Sequence, residues 1–193
     1  MFNRVSERIT ENMVKHSTVS PEDKELYLFG VQQGLSILLN IATTVAVGLA
    51  FGVFWQLLLF MGGYIPLRSF AGGYHAKTPL RCYVLSILIL VAVALMTKYV
   101  VLHIFVQVGL LLSASVIIIA LSPVGNDNKP LDELEKKVYK RKAVGICTFE
   151  FAIGIFLLYI GLRAVSVCVT WSLTVVCFML LTEKVSKRIA VKC

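Results

Sequence analysis

Residues Arg68–Ser86 read RSFAGGYHAKTPLRCYVLS. The stretch is polar and glycine-bearing, it interrupts two long apolar runs, and its one histidine (His75) and one cysteine (Cys82) stand seven residues apart. Gly72–Gly73 and Thr78–Pro79 break any continuous helix through it. Thr78 suits an N-cap and Pro79 the first helical position, so a new helix is expected to open there with Cys82 in its first turn or so. The stretch therefore reads as a connector between two helices, and the apolar runs on either side decide which kind of helices they are.

Of the 193 residues, 58% are hydrophobic and the mean hydropathy is +0.81. Soluble domains are less apolar, so an integral membrane protein is the first inference. Runs near the 20 residues that cross a hydrocarbon core about 30 Å thick fall at Leu26–Ala50, Phe54–Leu67, Cys82–Thr97, Val101–Leu121, Ala143–Leu162 and Ala164–Thr182. The second is short and carries Gly62, Gly63 and Pro66, which predicts a kinked or partly embedded segment. The expected fold is all-α, a single polytopic membrane domain with about six transmembrane helices. No secretory signal is expected, since the first 25 residues are polar and charged.

Charge sets the orientation. Of the nineteen Lys and Arg, four precede residue 26, three lie in 68–81, six in 129–142 and four after 183, leaving Lys98 and Arg163 for the opposite side. With six crossings these groups alternate without exception, so both termini and both long connectors, 68–81 and 122–142, are expected to be cytoplasmic. A thiol there stays reduced. The N-terminal segment 1–25 is a separate element. Phe2, Val5, Ile9 and Met13 share one helical stripe, as in an amphipathic helix lying in the membrane interface. Ser20 and Pro21 mark the start of the next helix.

In a straight helix His75 and Cys82 would lie roughly 10 Å apart along the axis, too far to touch, but a folded connector can bring the imidazole to the sulfur. At a helix N-terminus the dipole favours an anion and Arg81 adds a nearby positive charge, both of which favour a thiolate. Such a dyad performs acyl transfer. The imidazole takes the thiol proton and returns it to the leaving amine, while backbone N–H groups at Gly72 and Gly73, or the Arg68 guanidinium, hold the oxyanion. The competing reading is a Gly-Gly turn with a solvated His75 and a packed Cys82. Metal chemistry is not expected, since zinc needs three or four ligands and His16 and His103 are remote in sequence. No Walker A motif or other cofactor signature is present, and nucleic acid is not an expected partner.

The segment RSFAGGYHAKTPLRC followed by an apolar span resembles the AgrB family, the membrane cysteine endopeptidases of peptide quorum sensing, and the likeness extends to the later basic connector SPVGNDNKPLDELEKKVYKRK. The resemblance implies Cys82 as nucleophile, His75 as base, and Arg68 and Gly73 at positions sensitive to change. It implies a small AgrD-like precursor peptide as substrate, cleaved of its C-terminal tail and closed to a thiolactone, and it points to a homodimer. Lys129 matches the start of the family's basic cluster, but here Pro130 follows at once and the next positive charges are Lys136 and Lys137. The +8 balance on the inner face suits anionic lipid at about 1 kcal/mol per basic residue. Other classes remain: a small transporter or channel, for which Glu150 and the broken second run speak, and a non-enzymatic membrane interaction protein. An embedded Glu150 suits a transport pathway, and its plain alternative is pairing with Lys142 near the span end.

Overall fold

The computed structural model describes residues 2–15, 20, 23–73, 79–124 and 132–190. Among them are seven helices: α1 (Phe2–Lys15), α2 (Lys24–Phe51), α3 (Phe54–Ala71), α4 (Pro79–Tyr99), α5 (Ile104–Leu121), α6 (Glu133–Tyr159) and α7 (Arg163–Ala190). The described residues include no strand, only one isolated parallel bridge between Gly72 and Val124. Helices α2, α4, α5, α6 and α7 are long and apolar enough to cross a membrane. The protein is an all-α polytopic membrane protein.

Contacts divide the chain into two compact units, 1–46 and 47–193. In the first, Ser6 and Thr10 of α1 are buried while Val5 and Ile9 are exposed. The Ser20 carbonyl accepts the Asp23 N–H at 3.1 Å, and α2 follows from Lys24; Pro21 and Glu22 lie outside the described residues. Leu26, Phe29, Leu38 and Ile41 of α2 are exposed, as lipid-facing side chains are.

The second unit is built around α3. Leu57, Phe60, Tyr64, Leu67 and Ala71 recur at three- and four-residue spacing and are buried on one stripe, against α7 and α6. Helix α5 packs on α6 and α7, while α4 touches α3 and α7 more lightly. The short second run is thus no marginal segment. It continues as helix through Pro66 to Ala71, although the proline removes one intrahelical hydrogen bond. Gln56, Pro66 and Arg68 keep it out of the strongly apolar set. At 18 residues it extends about 27 Å, and its buried stripe faces α6 and α7.

The other departure is at α6. It starts at Glu133, ten residues before the apolar run at Ala143, so the second half of the expected basic loop 122–142 is helical. Residues 133–142 hold good helix formers. The Asp132 N–H donates to the Glu135 carboxylate at 3.3 Å, one half of a capping box, and Lys136 pairs with Glu133 at 2.8 Å. Lys136, Lys137, Lys140, Arg141 and Lys142 therefore ride on the first turns of α6. Chain direction gathers them with the C-terminal ends of α3, α5 and α7 and the N-terminal end of α4. Lys98 and Arg163 stand at the opposite ends of their helices.

Buried polar groups tie the bundle together. Gln107 of α5 donates to Ser166 at 2.9 Å and Thr170 at 3.2 Å, and Ser166 passes its proton to the Gly154 carbonyl at 2.8 Å. Glu150 does not reach Lys142, whose ammonium lies 4.9 Å from the Phe70 ring centroid. Two helical turns separate the two residues along α6, whereas α7 brings Ser172 across to donate to Glu150 Oε2 at 3.1 Å. A neutral amide keeps that acceptor. Glu150→Gln is therefore expected to hold stability within about 0.5 kcal/mol, whereas Glu150→Leu strands the Ser172 hydroxyl and loses about 1–3 kcal/mol. Thermal unfolding of the two variants in detergent checks this, and equal losses would show that the carboxylate charge itself matters.

Candidate active site

Helix α4 begins at Pro79, where the sequence signals put it, and Cys82 is its fourth residue. The first turn of a helix has N–H groups without intrahelical partners and the positive end of the dipole. The Cys82 carbonyl accepts the Ser86 hydroxyl at 3.1 Å. Cys82 is partly exposed, whereas Cys147, Cys168 and Cys177 are buried, and all four are thiols rather than disulfide partners. Among the described residues it is the cysteine open to a reaction partner. His75, Thr78 and Lys129 lie outside the described residues.

The C-terminal end of α3 forms the other wall. Helix α4, which carries Cys82, packs lightly against α3. The Tyr64 hydroxyl accepts a hydrogen bond from Arg68 Nη1 and donates its own proton to Met179 Sδ of α7 at 3.2 Å. The Arg68 guanidinium carbon also lies 5.6 Å from the Tyr64 ring centroid, and that ring stacks on Phe60 at 5.2 Å. Tyr64 and Arg68 share a face because they are four residues apart on one helix. This spacing was visible in the sequence, whereas the Met179 contact, across 115 residues, was not.

Beyond Arg68 the chain turns sharply. The Gly72 N–H donates to the Arg68 carbonyl at 3.0 Å, and the Val124 N–H donates to the Ala71 carbonyl at 3.0 Å. The Gly72 N–H is thus committed to closing α3, and Gly72 packs against Val124 after α5. Gly73 is buried beside Met179, 3.3 Å from its Cβ to where a side chain would start. Phe70 meets Tyr139 of α6 edge to face, with centroids 5.7 Å apart. The ends of α3, α5, α6 and α7 are thereby fixed to one another at the end of the bundle where α4 carries Cys82. Lys136 and Lys137 belong to the same end and are exposed.

The arrangement combines an accessible thiol, a held guanidinium and a basic rim at one end of a membrane bundle, a set suited to a peptide substrate. Two curated relatives, both from Clostridium perfringens strain 13, are described only as AgrB-like. AgrB-like protein 2 is 24% identical over 163 residues, covering 80% of this chain and 76% of its own. AgrB-like protein 1 is 24% identical over 132 residues, covering 68% and 70%. No solved structure matches the chain. The Accessory gene regulator B family model matches residues 6–180, and the chain belongs to that family.

Proposed function

We propose that the protein is a membrane cysteine endopeptidase which removes the C-terminal tail of a small AgrD-like precursor peptide and promotes closure of the remainder to a thiolactone signal. Family membership gives it a role in accessory gene regulation by quorum sensing. The observation that carries the catalytic part is the position of Cys82, a partly exposed thiol in the first turn of α4. His75, three residues before the helix start signal Thr78, is the base in this reading. The active site faces the cytoplasm, α3 supplies the sixth crossing, and both termini lie inside.

The chemistry runs through one intermediate. Cys82 Sγ bonds to the carbonyl carbon of the scissile peptide, and His75 takes the thiol proton. The C–N bond then breaks, the imidazole gives the proton to the departing amine, and the acyl group remains on Cys82 as a thioester. A thiol within the bound peptide attacks that carbonyl and expels Cys82, whose sulfur regains a proton through His75. One thioester replaces another, so the exchange is close to thermoneutral and needs no nucleotide. Holding the attacking thiol in place is worth an effective molarity of roughly 10⁵ M or more, which lets closure outrun hydrolysis. Lys136 and Lys137, with Lys129, attract an acidic tail or anionic lipid to the rim. A second copy of the chain is the expected oligomeric partner.

Co-expression of the full-length protein with a small AgrD-like precursor, followed by mass spectrometry, tests the reading. Two products are expected: the released tail, and a peptide lighter by one water than the linear remainder. An intact precursor at wild-type expression of both chains would overturn it.

A further inference from the structure

We infer that the scissile segment of the precursor is held on the bundle side of α4, between that helix and the wall of α3 and α7, and not on its lipid side. This rests on the cysteine endopeptidase reading above. At 3.6 residues per turn, Cys82 shares one stripe of α4 with Leu85, Ile89 and Val93, which follow it by three, seven and eleven positions. Val93 is buried, and Leu85 and Ile89 pack partly buried against the core, so this stripe faces the bundle. The opposite face carries Leu80, Val84, Leu88 and Leu95, all exposed. Cys82 itself is half-buried, as its place on the inner stripe requires.

The position of the sulfur limits the position of the substrate. For attack, the carbonyl carbon must come within about 3–3.5 Å of Sγ, which puts it on the same side of α4 as Leu85. The hydroxyl of Ser86, one turn deeper, donates to the Cys82 carbonyl and so closes the helix backbone beneath the site. The packing of α4 fits an entry here. Helices α3 and α7 touch it more lightly than they touch each other. Burial is also uneven along its length. Leu90, Val93 and Ala94 are buried, whereas none of the side chains from 80 to 89 is. The half that carries Cys82 is therefore the loosely held one, and a peptide entering beside it gives up little packing. Leu85 meets the substrate in this assignment, while Val84, its neighbour in sequence, does not.

The test uses full-length Cys82→Ala protein in proteoliposomes, which leaves a fluorescent synthetic precursor intact. A benzophenone side chain replaces Leu85 in one sample and Val84 in another. Illumination is expected to join the precursor to the protein through position 85 and not through position 84, and excess unlabelled precursor should abolish the product. If either protein fails to insert, Ile89 and Leu88 give the same contrast. In protein that retains Cys82, Leu85→Ala should lower kcat/KM by about tenfold or more, and Val84→Ala should stay within about twofold of the wild type, both read at a temperature where the variants are folded. Cross-linking through the lipid face alone, equal cross-linking through both faces, or wild-type kcat/KM in Leu85→Ala would overturn the inference. Cleavage that survives Cys82→Ala would sink the endopeptidase reading and this one together. Cleavage lost in Cys82→Ala, with cross-links only through position 84 or 88, would sink this one alone.

Discussion

Membranes carrying Cys82→Ala are expected to leave the precursor peptide intact, with cleavage reduced by about 10⁴-fold or more while the protein is made and inserted as usual. The size follows from the covalent route. Without the sulfur there is no thioester, and what remains is the small contribution of binding and oxyanion stabilisation to attack by water. No other described cysteine can substitute, because Cys147, Cys168 and Cys177 are buried in the bundle. Cys82→Ser should fall almost as far, since a hydroxyl at neutral pH is a much weaker nucleophile than a thiol. His75→Ala is expected to lose a similar amount, and the Cys82→Ala, His75→Ala double variant no more than either single one, because nucleophile and base act as a unit. A precursor in which the internal thiol is replaced by a hydroxyl should trap the enzyme as an acylated species whose mass shift lies on Cys82 and is removed by hydroxylamine. Retained cleavage in Cys82→Ala, or an adduct on a different residue, would refute the nucleophile.

Much of this architecture is legible in the chain because a membrane imposes strong, local rules. Long apolar runs and the distribution of Lys and Arg carry the fold class, and Thr78–Pro79 carries the start of α4 to the residue. Boundaries set by charged helix formers are harder to see. Residues 133–142 look like a polar loop when hydropathy alone is read, yet the Asp132–Glu135 cap and the Lys136–Glu133 pair make them the first turns of α6. The central place of α3 is hidden for a related reason. Its Gln56, Pro66 and Arg68 lower its hydropathy, and only the fold shows that Leu57, Phe60, Tyr64 and Leu67 form a buried stripe against α6 and α7. Pairings across distant helices leave no local signature at all, so Glu150 suggests a nearby lysine in the sequence and finds Ser172 in the fold. The proposed nucleophile comes from a short motif, whereas the Tyr64–Met179 hydrogen bond across 115 residues needs three dimensions.

Gly72→Ala is expected to be among the most damaging single-methyl changes in the protein. Gly72 has φ +80° and ψ −151°, a region essentially reserved for glycine, where a side chain costs of order 1–3 kcal/mol. A Cβ there would lie 2.3 Å from the Val124 carbonyl oxygen and 3.2 Å from its carbon. That neighbour is backbone, so no rotamer change relieves the clash. Val124 is itself held by its N–H bond to the Ala71 carbonyl, and separating the two segments gives up that bond as well, a further loss of about 1 kcal/mol. A total near 3 kcal/mol or more is a large part of the 5–15 kcal/mol that typically holds a domain. The functional loss should exceed what instability alone predicts. Gly72 joins the helix that carries Arg68 to the connector that leads to Cys82, and a displacement of about 1 Å at a reacting centre can cost 10²-fold. Gly62→Ala is the control, since a Cβ on Gly62 meets nothing within 4 Å and alanine favours the helix by up to about 1 kcal/mol. The measurement is thermal unfolding in detergent beside precursor cleavage at a temperature where both variants stay folded. Gly72→Ala should unfold at a clearly lower temperature and cleave about 100-fold more slowly, and Gly62→Ala should match the wild type in both. Equal stability of the two variants would mean that the tie between α3 and the end of α5 does not hold the site together.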